Sequence, residues 1–226
     1  GSVQTATIVA GGAVDLGTNN VKLDAAADLT LSGTEKTSSV KLGTIGKTDM
    51  DYSTNVSATG LKAGLTLGAI ASKQDATVNL TGTTGNVVLG TIDAANVTVN
   101  AANLAGILSG TLGSATTLAT GTINSTTADT GAAVIDVSSS AKAMNLGNIG
   151  NLKAFKTVSV NASSEAAAVE IGTINALDSI NVNFAGNLAT SKVGTLAAKA
   201  VTVNADNAIG VVDTGVATVT DSYTYT

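Results

Sequence analysis

The sequence predicts an all-β protein, a parallel β-solenoid with rungs of about 22 residues and two main strands in each rung. Two observations lead to this prediction. Apolar residues alternate with other residues over short segments, which is the period of a half-buried strand. A tetrapeptide pattern recurs along the chain: an apolar residue, any residue, a second apolar residue, and then glycine or asparagine. The glycine and asparagine forms of this frame alternate. Like strands stacked on like strands satisfy this pattern.

The composition indicates a thin and regular interior. Of 226 residues, 44% are hydrophobic, while the chain has only 3 Tyr and 2 Phe and lacks Trp, Pro, Cys and His. A globular core commonly uses aromatic side chains to fill irregular space. Thr, Asn, Ser and Gly supply much of the remainder, and these residues suit strands and turns. We expect residues 1–226 to form a single solenoid domain. Gly1 and Ser2 read as an expression scar, so we expect this domain to be a fragment of a larger protein.

The glycine form of the frame follows an apolar-any-apolar tripeptide. Apolar spacing changes after it, because Leu42 and Ile45 are separated by two residues rather than one. A bend must therefore lie between them, and glycine tolerates the positive φ that a bend often requires. We expect corners at Gly43, Gly68, Gly90, Gly147, Gly172 and Gly194.

The asparagine form ends a second series of strands. Asparagine is the next most tolerant of positive φ, so these residues also predict corners. Stacked rungs would place equivalent asparagines about 4.8 Å apart, close enough for a ladder of side-chain amides. The series comprises Asn79, Asn100, Asn161, Asn183 and Asn204.

The chain also contains a duplication longer than one rung. The glycines and asparagines that end the frame in residues 40–103 recur in residues 144–207 with an offset of 104 residues. Between the two copies, residues 104–140 keep the same composition but follow the tetrapeptide frame irregularly. This irregularity predicts a longer rung or a bulging loop. Tyr223 and Tyr225 alternate with Thr in a final strand, and we expect them to cover the C-terminal end of the core.

The middle residue of each strand is predicted to point outward. On the glycine strands these residues are mixed and charged: Lys41, Thr66, Val88, Asn145, Glu170 and Lys192. On the asparagine strands they are short and polar: Thr77, Thr98, Ser159, Asn181 and Thr202. A flat polar face suits lattice contacts, whereas the interruptions at Ser159 and Asn181 argue against a threonine array that binds ice.

The residue types argue against an enzyme, and no catalytic residue is predicted. The chain has no His or Arg, and its 16 acidic residues are scattered, so general acid–base chemistry has few candidates. The net charge of −5 argues against a nucleic-acid surface. The apolar runs are too short to span a bilayer.

Calcium is the one cofactor that the sequence raises. Asp49 and Asp51 place two carboxylates on one side of an extended segment and are the candidate metal ligands. Asp24 with Asp28 is a second pair. The alternative is that these acids are solvated loop charges, and the calcium-binding nonapeptide repeat of RTX proteins is absent.

Runs such as Leu89-Gly90-Thr91-Ile92 and Val97-Thr98-Val99-Asn100, in an acidic chain without Cys, Pro, His or Trp, resemble bacterial surface-layer (S-layer) proteins of the type-I-secreted, calcium-dependent kind. This resemblance implies a structural, lattice-forming segment on the bacterial cell surface, outside the cell. It implies self-association and contacts with neighbouring domains of the same chain, with cell-surface polysaccharide as a further candidate partner and calcium as an aid to order.

Two other functions stay open. An adhesin stalk or autotransporter passenger that binds a host or surface ligand would share the fold. A carbohydrate-active enzyme would need a groove with three or more converging carboxylates.

Overall fold

The computed structural model describes residues 4–17, 27–46, 52–83, 85–101, 108–110, 123–125, 131–136, 144–150, 154–163 and 168–226. Regular structure within these ranges is entirely β, and the strands stack in parallel with rungs about 22 residues apart. The predicted parallel β-solenoid is confirmed. Nowhere in these ranges is there a helix long and apolar enough to cross a membrane.

The chain forms 23 strands within the described residues. In order they are β1 (Gln4–Ala10), β2 (Ala13–Asp15), β3 (Ala27–Gly33), β4 (Ser39–Leu42), β5 (Ile45–Gly46), β6 (Thr54–Thr59), β7 (Gly64–Leu67), β8 (Ile70–Ala71), β9 (Asp75–Thr81), β10 (Asn86–Leu89), β11 (Ile92–Ala94), β12 (Asn96–Asn100), β13 (Leu108–Gly110), β14 (Ile123–Ser125), β15 (Ala132–Asp136), β16 (Met144–Leu146), β17 (Phe155–Asn161), β18 (Val169–Ile171), β19 (Ile174–Asn183), β20 (Ser191–Val193), β21 (Leu196–Asn204), β22 (Val212–Asp213) and β23 (Ala217–Tyr225).

Three parallel sheets form the sides of the solenoid. A ten-stranded sheet runs β1-β3-β6-β9-β12-β15-β17-β19-β21-β23, and a nine-stranded sheet runs β2-β4-β7-β10-β13-β16-β18-β20-β22. These are the two main strands expected in each rung. A four-stranded sheet, β14-β11-β8-β5, adds a short third side that the sequence analysis did not anticipate. Later in the chain, β19 and β21 run on through this side as strands of 10 and 9 residues.

The core is a set of aliphatic columns enclosed by the sheets. In β9, Ala76, Val78 and Leu80 are buried, while Thr77 and Asn79 between them face outward. Parallel register places each buried residue on its equivalent in the next rung, as for Val78 and Val99. This regular stacking explains why small aliphatic side chains fill most of the interior.

The predicted glycine corners are confirmed, but for a different physical reason. None of the six markers has a positive φ. Instead, successive corners nearly touch, so that a Cβ on Gly90 would lie 2.4 Å from the carbonyl oxygen of Gly68. The Gly90 N–H donates to the Leu67 carbonyl oxygen at 3.0 Å, which holds the two corners together. Glycine is needed here because adjacent backbones approach too closely for any side chain.

The interpretation of the asparagines as corners is confirmed only in part. Four of the five are the last residue of their strand, but none has a positive φ: Asn100, Asn161, Asn183 and Asn204. Asn79 lies inside β9, and the buried Leu80 follows it without a change of phase. The one residue other than glycine with positive φ in the described chain is Asn207, outside the series. The asparagines instead face outward, and the predicted ladder forms between Asn161 and Asn183, whose Nδ2 donates to the Asn161 Oδ1 at 2.9 Å.

The irregular centre contains a longer rung, as expected. Register partners in neighbouring rungs are commonly 21 or 22 residues apart, as for Val78 and Val99, whereas Val97 and Ala133 are 36 residues apart. Much of residues 104–140 lies outside the described ranges, but β13, β14 and β15 continue all three sheets across it. The duplication of residues 40–103 in residues 144–207 stays a prediction.

The final strand carries the two C-terminal tyrosines into core positions. Tyr223 aligns with Val201 and Tyr225 aligns with Val203, both buried in β21. Both rings are nevertheless about half exposed, at 43% and 51%, so the covering of the C-terminal end of the core stays a prediction.

Candidate functional site

Of the four candidate metal ligands, only Asp28 lies in the described part of the chain. Asp49, Asp51 and Asp24 lie outside the described residues. Asp28 lies in β3, where its Oδ1 accepts a hydrogen bond from the Asn55 Nδ2 at 2.8 Å. Across the described ranges, no three His, Cys, Asp or Glu side chains are grouped to hold a metal ion. Calcium binding stays a prediction.

The largest organised surface is the outer side of the ten-stranded sheet, here called the polar face. Strand register aligns many of its outward side chains in two columns that run the length of the sheet. The first column comprises Thr5, Asp28, Asn55, Thr77, Thr98, Val134, Ser159, Asn181, Thr202 and Thr224. The second comprises Thr7, Thr30, Ser57, Asn79, Asn100, Asp136, Asn161, Asn183, Asn204 and Thr226.

Hydrogen bonds along the second column hold polar-face side chains in place. The Asn183 Nδ2 donates to the Asn161 Oδ1 at 2.9 Å, and the Asn161 Nδ2 donates to the Asp136 Oδ1 at 3.3 Å. Side chains restrained in this way lose less conformational entropy when a partner binds. The polar face therefore offers ordered hydrogen-bonding groups at a repeat of about 4.8 Å.

The outer side of the nine-stranded sheet is mixed in charge, as predicted; it is here called the charged face. The Lys41 Nζ lies 3.3 Å from the Asp15 Oδ2 in the neighbouring rung. The Gly17 N–H hydrogen bond and then Lys41 lower the pKa of Asp15. Nearer the other end, the Asn145 Nδ2 lies 3.5 Å from the Glu170 Oε2. Opposite charges alternate along this face and largely neutralise one another.

A second run of charges, not predicted from the sequence, follows the later, longer strands. The Asp178 carboxylate lies between two lysines, with Oδ1 2.8 Å from the Lys199 Nζ and Oδ2 3.9 Å from the Lys156 Nζ. The hydrogen bond to Lys199 lowers the pKa of Asp178, and the same bond raises the pKa of Lys199. The detectable signal was spacing, because Asp178 and Lys199 are 21 residues apart, close to one rung.

Buried polar side chains at the turns were also missed. The Ser38 Oγ donates to the Ala10 carbonyl oxygen at 2.6 Å, and the Thr54 Oγ1 donates to the Ala71 carbonyl oxygen at 3.0 Å. The Asn187 Nδ2 donates to the Ala162 carbonyl oxygen at 3.3 Å and to the Ser191 Oγ at 2.6 Å. Most of these partners are backbone carbonyls of a neighbouring rung, so the contacts support the turns.

No family model, curated protein or solved structure matches this chain. The fold itself defines a class, the parallel β-solenoid repeat proteins. Any function must therefore be argued from the surfaces described above.

Proposed function

We propose that this chain is a structural, lattice-forming segment of a bacterial cell-surface protein of the S-layer type, located outside the cell. The observation that supports this proposal best is the polar face, where two columns of mostly short polar side chains stay in register over ten strands. A flat surface with a constant repeat can contact a like surface at many equivalent points.

The size of the polar face fits a weak, repeated contact. Ten strands at about 4.8 Å give a length of roughly 45 Å, and the strands are about 15–20 Å long. The resulting area, on the order of 700 Å² per partner, is just below that of a standard stable interface. Because hydrogen bonds exchanged with water contribute little net free energy, each contact is weak. A lattice gains its strength from many such contacts made together.

The charges of the polar face do not oppose such a contact strongly. Its two columns carry only Asp28 and Asp136, and each accepts a hydrogen bond from an asparagine. Outside the columns the same sheet carries Asp75, which accepts a hydrogen bond from the Asn96 Nδ2, and the ion-paired run of Lys156, Asp178 and Lys199. The whole chain nevertheless has a net charge of −5, so copies repel one another at low ionic strength. Calcium would reduce this repulsion, with Asp49 and Asp51 as the candidate ligands. Cell-surface polysaccharide and neighbouring domains of the same chain are the further partners that we propose.

Electron microscopy and sedimentation of the purified chain, in calcium or in EDTA, test this proposal. We expect sheets or large assemblies in calcium. The double variant Thr98→Lys with Asn181→Lys places like charges on the polar face and should prevent lateral assembly. The matched control, Thr66→Lys with Asn145→Lys, adds the same charge to the charged face and should assemble normally.

Two outcomes would contradict the proposal. Equal assembly by both double variants would show that the polar face makes no lattice contact. A wild-type chain that stays monomeric in calcium and in EDTA would favour the alternative, an adhesin stalk or autotransporter passenger in which the solenoid carries a ligand-binding region.

A further inference from the structure

The charges of the charged face follow an order that is complementary to itself. Strand register aligns one position from each strand of the nine-stranded sheet in a single column. From β2 to β22 these positions are Asp15, Lys41, Thr66, Val88, Ser109, Asn145, Glu170, Lys192 and Asp213. An acid is followed by a lysine in β2 and β4, and again in β18 and β20. The four strands between these two pairs carry no charge in the column.

This order brings opposite charges together when two copies lie charged face to charged face with their solenoid axes antiparallel. With β2 over β20 of the second copy, β4 lies over its β18. Asp15 then faces Lys192 of the second copy, and Lys41 faces its Glu170. A two-fold axis relates the copies, so each pair occurs twice and the contact holds four pairs of opposite charge. Within one copy the Lys41 Nζ also lies 3.3 Å from the Asp15 Oδ2, so each of these two charges would have two opposite neighbours.

Other arrangements of the same two faces are less favourable. With the axes parallel and the strands in register, every charge meets its own copy, and like charges repel. With the axes parallel but displaced by one rung, three attractive pairs remain and the symmetry is lost. Displacing the antiparallel contact by one rung brings Asp15 against Glu170 or against Asp213, depending on the direction. The order of charges therefore favours one orientation and one register.

The four charged side chains are accessible to a partner. The Lys41 and Asp15 side chains are 55% and 57% exposed, and Glu170 and Lys192 are the exposed residues of β18 and β20. One shallow depression contains Asp15 and Lys41 and is lined by Gly64, and a second contains Glu170 and Lys192. The antiparallel contact places these two depressions opposite each other, which leaves room for the long side chains. The neighbouring column is uncharged where β2, β4, β7 and β10 begin, at Ala13, Ser39, Gly64 and Asn86.

We propose that two copies of this chain associate through their charged faces, antiparallel and related by a two-fold axis, with Asp15 paired to Lys192 and Lys41 paired to Glu170 across the contact. Eight rungs at about 4.8 Å, with strands of three or four residues, give an area on the order of 450 Å² per partner. This area is below that of a standard stable interface, so the pairing is weak by itself. The inference rests on the proposed assembly role and names a contact that is separate from the polar face.

Sedimentation velocity tests this contact in the variant Thr98→Lys with Asn181→Lys, in which assembly through the polar face is blocked. We expect a monomer–dimer equilibrium in that background. Adding Lys41→Glu brings a carboxylate against Glu170 at both symmetric positions, which should weaken dimerisation by about tenfold or more at low salt. Glu170→Lys alone should weaken it similarly, because two ammonium groups then meet.

Lys41→Glu and Glu170→Lys in one chain should restore the dimer, because the pair is reversed but still opposite in charge. The two residues are five rungs apart within a copy, about 24 Å, so they cannot compensate each other inside one chain. Recovery also shows that neither change prevents folding. Lys156→Glu is the matched control and should leave dimerisation unchanged. The Lys156 side chain is 52% exposed, close to the 55% of Lys41, and it belongs to the ten-stranded sheet.

A further variant separates the two surfaces. In the antiparallel contact β7 lies over β16 of the second copy, so Thr66 faces its Asn145. Thr66→Lys with Asn145→Lys would bring lysines together there. This double variant should still assemble through the polar face. Combined with the blocked polar face, it should be monomeric.

A dimer that none of these charge changes weakens would overturn the charged-face contact. Loss of the dimer in both single variants, without recovery when they are combined, would overturn the antiparallel register. If the polar-face-blocked background is monomeric while the wild-type chain forms sheets, this inference is overturned and the polar-face lattice stands. A wild-type chain that is monomeric in every condition overturns this inference and the proposed function together.

Discussion

At the scale of single residues, close contact between the backbones of neighbouring rungs selects glycine at the corners. The change in apolar spacing after Leu42 is visible in the sequence, and it located the corner at Gly43. The reason lies in a contact between residues about one rung apart, since a Cβ on Gly68 would lie 2.7 Å from the carbonyl carbon of Gly43. Local sequence contains no information about that distance, so positive φ was the natural but incorrect expectation.

Gly68→Ala should destabilise the protein by about 1–3 kcal/mol, because the new methyl group must push two backbones apart. Gly12→Ala is the matched control. A Cβ there meets nothing within 4 Å, and Gly12 has no positive φ, so its effect should stay within about 0.5 kcal/mol. Urea denaturation of both variants measures the difference. Equal stability of the two would mean that corner contact does not select glycine.

The asparagines were predictable as a ladder but not as strand residues. Their recurrence indicated stacking, and Asn161 and Asn183 bond as expected. An asparagine lies at the bend only if the alternation of buried and exposed residues stops after it, so its place depends on whether the next residue is buried. In β9 that residue is Leu80, which is buried and continues the alternation. Only the folded rung reveals this continuity.

At the scale of the strands, two sides of the rung could be predicted and the third could not. Apart from the two-residue β22, the strands of the two main sheets are three or more residues long, and most carry a clear alternation. The third side is made of strands as short as β5 and β8, with 2 residues each. A period of two residues cannot be recognised in so short a segment. In β19 and β21 the third side is even harder to recognise from the sequence, because each strand continues through the corner without a break.

Acid should remove the stabilising contribution of the charge run on these strands. Lys199 lowers the pKa of Asp178, so this pair stabilises the fold above the ordinary pKa of an aspartate, about 3.9. The contribution is lost as the pH falls through the lowered pKa of the folded state. Asp178→Asn should therefore reduce the melting temperature slightly at pH 7, and the difference should shrink below about pH 4.

The exposed Asp206, which has no ion pair in the described chain, provides the control Asp206→Asn. Its melting temperature should differ little from the wild type at any pH. Added salt should also reduce the effect of Asp178→Asn, since both partners of the pair are solvent-exposed. A loss of stability that is the same in acid and at pH 7 would exclude the ion pair as its cause.

At the scale of the whole molecule, stability should vary along the solenoid axis. Each rung packs only on its neighbours, so the local free energy of opening depends on how many neighbours a strand has. β9 is paired on both sides, by β6 and β12, whereas β23 is paired with β21 alone within the part of the chain that the structure describes. Residues of β23 are also almost all exposed.

Amide hydrogen exchange, measured at a dilution where the chain is monomeric, should therefore be slowest in β9 and β19 and fastest in β1 and β23. Mass spectrometry of peptides from these strands provides the measurement. Uniform protection from β1 to β23 would contradict the one-dimensional view and indicate that the chain opens as a single unit.

The sequence by itself determined the fold class, the rung length and the division into outward and inward residues. These features follow from local alternation and from recurrence at a fixed period, both of which are properties of the chain as a string. The tertiary structure alone decided why the corners are glycine, where the third side lies, and that Asp178 contacts Lys199. Each of those depends on a distance between rungs, and a distance of a few ångströms between residues about 21 positions apart is set only when the rungs stack.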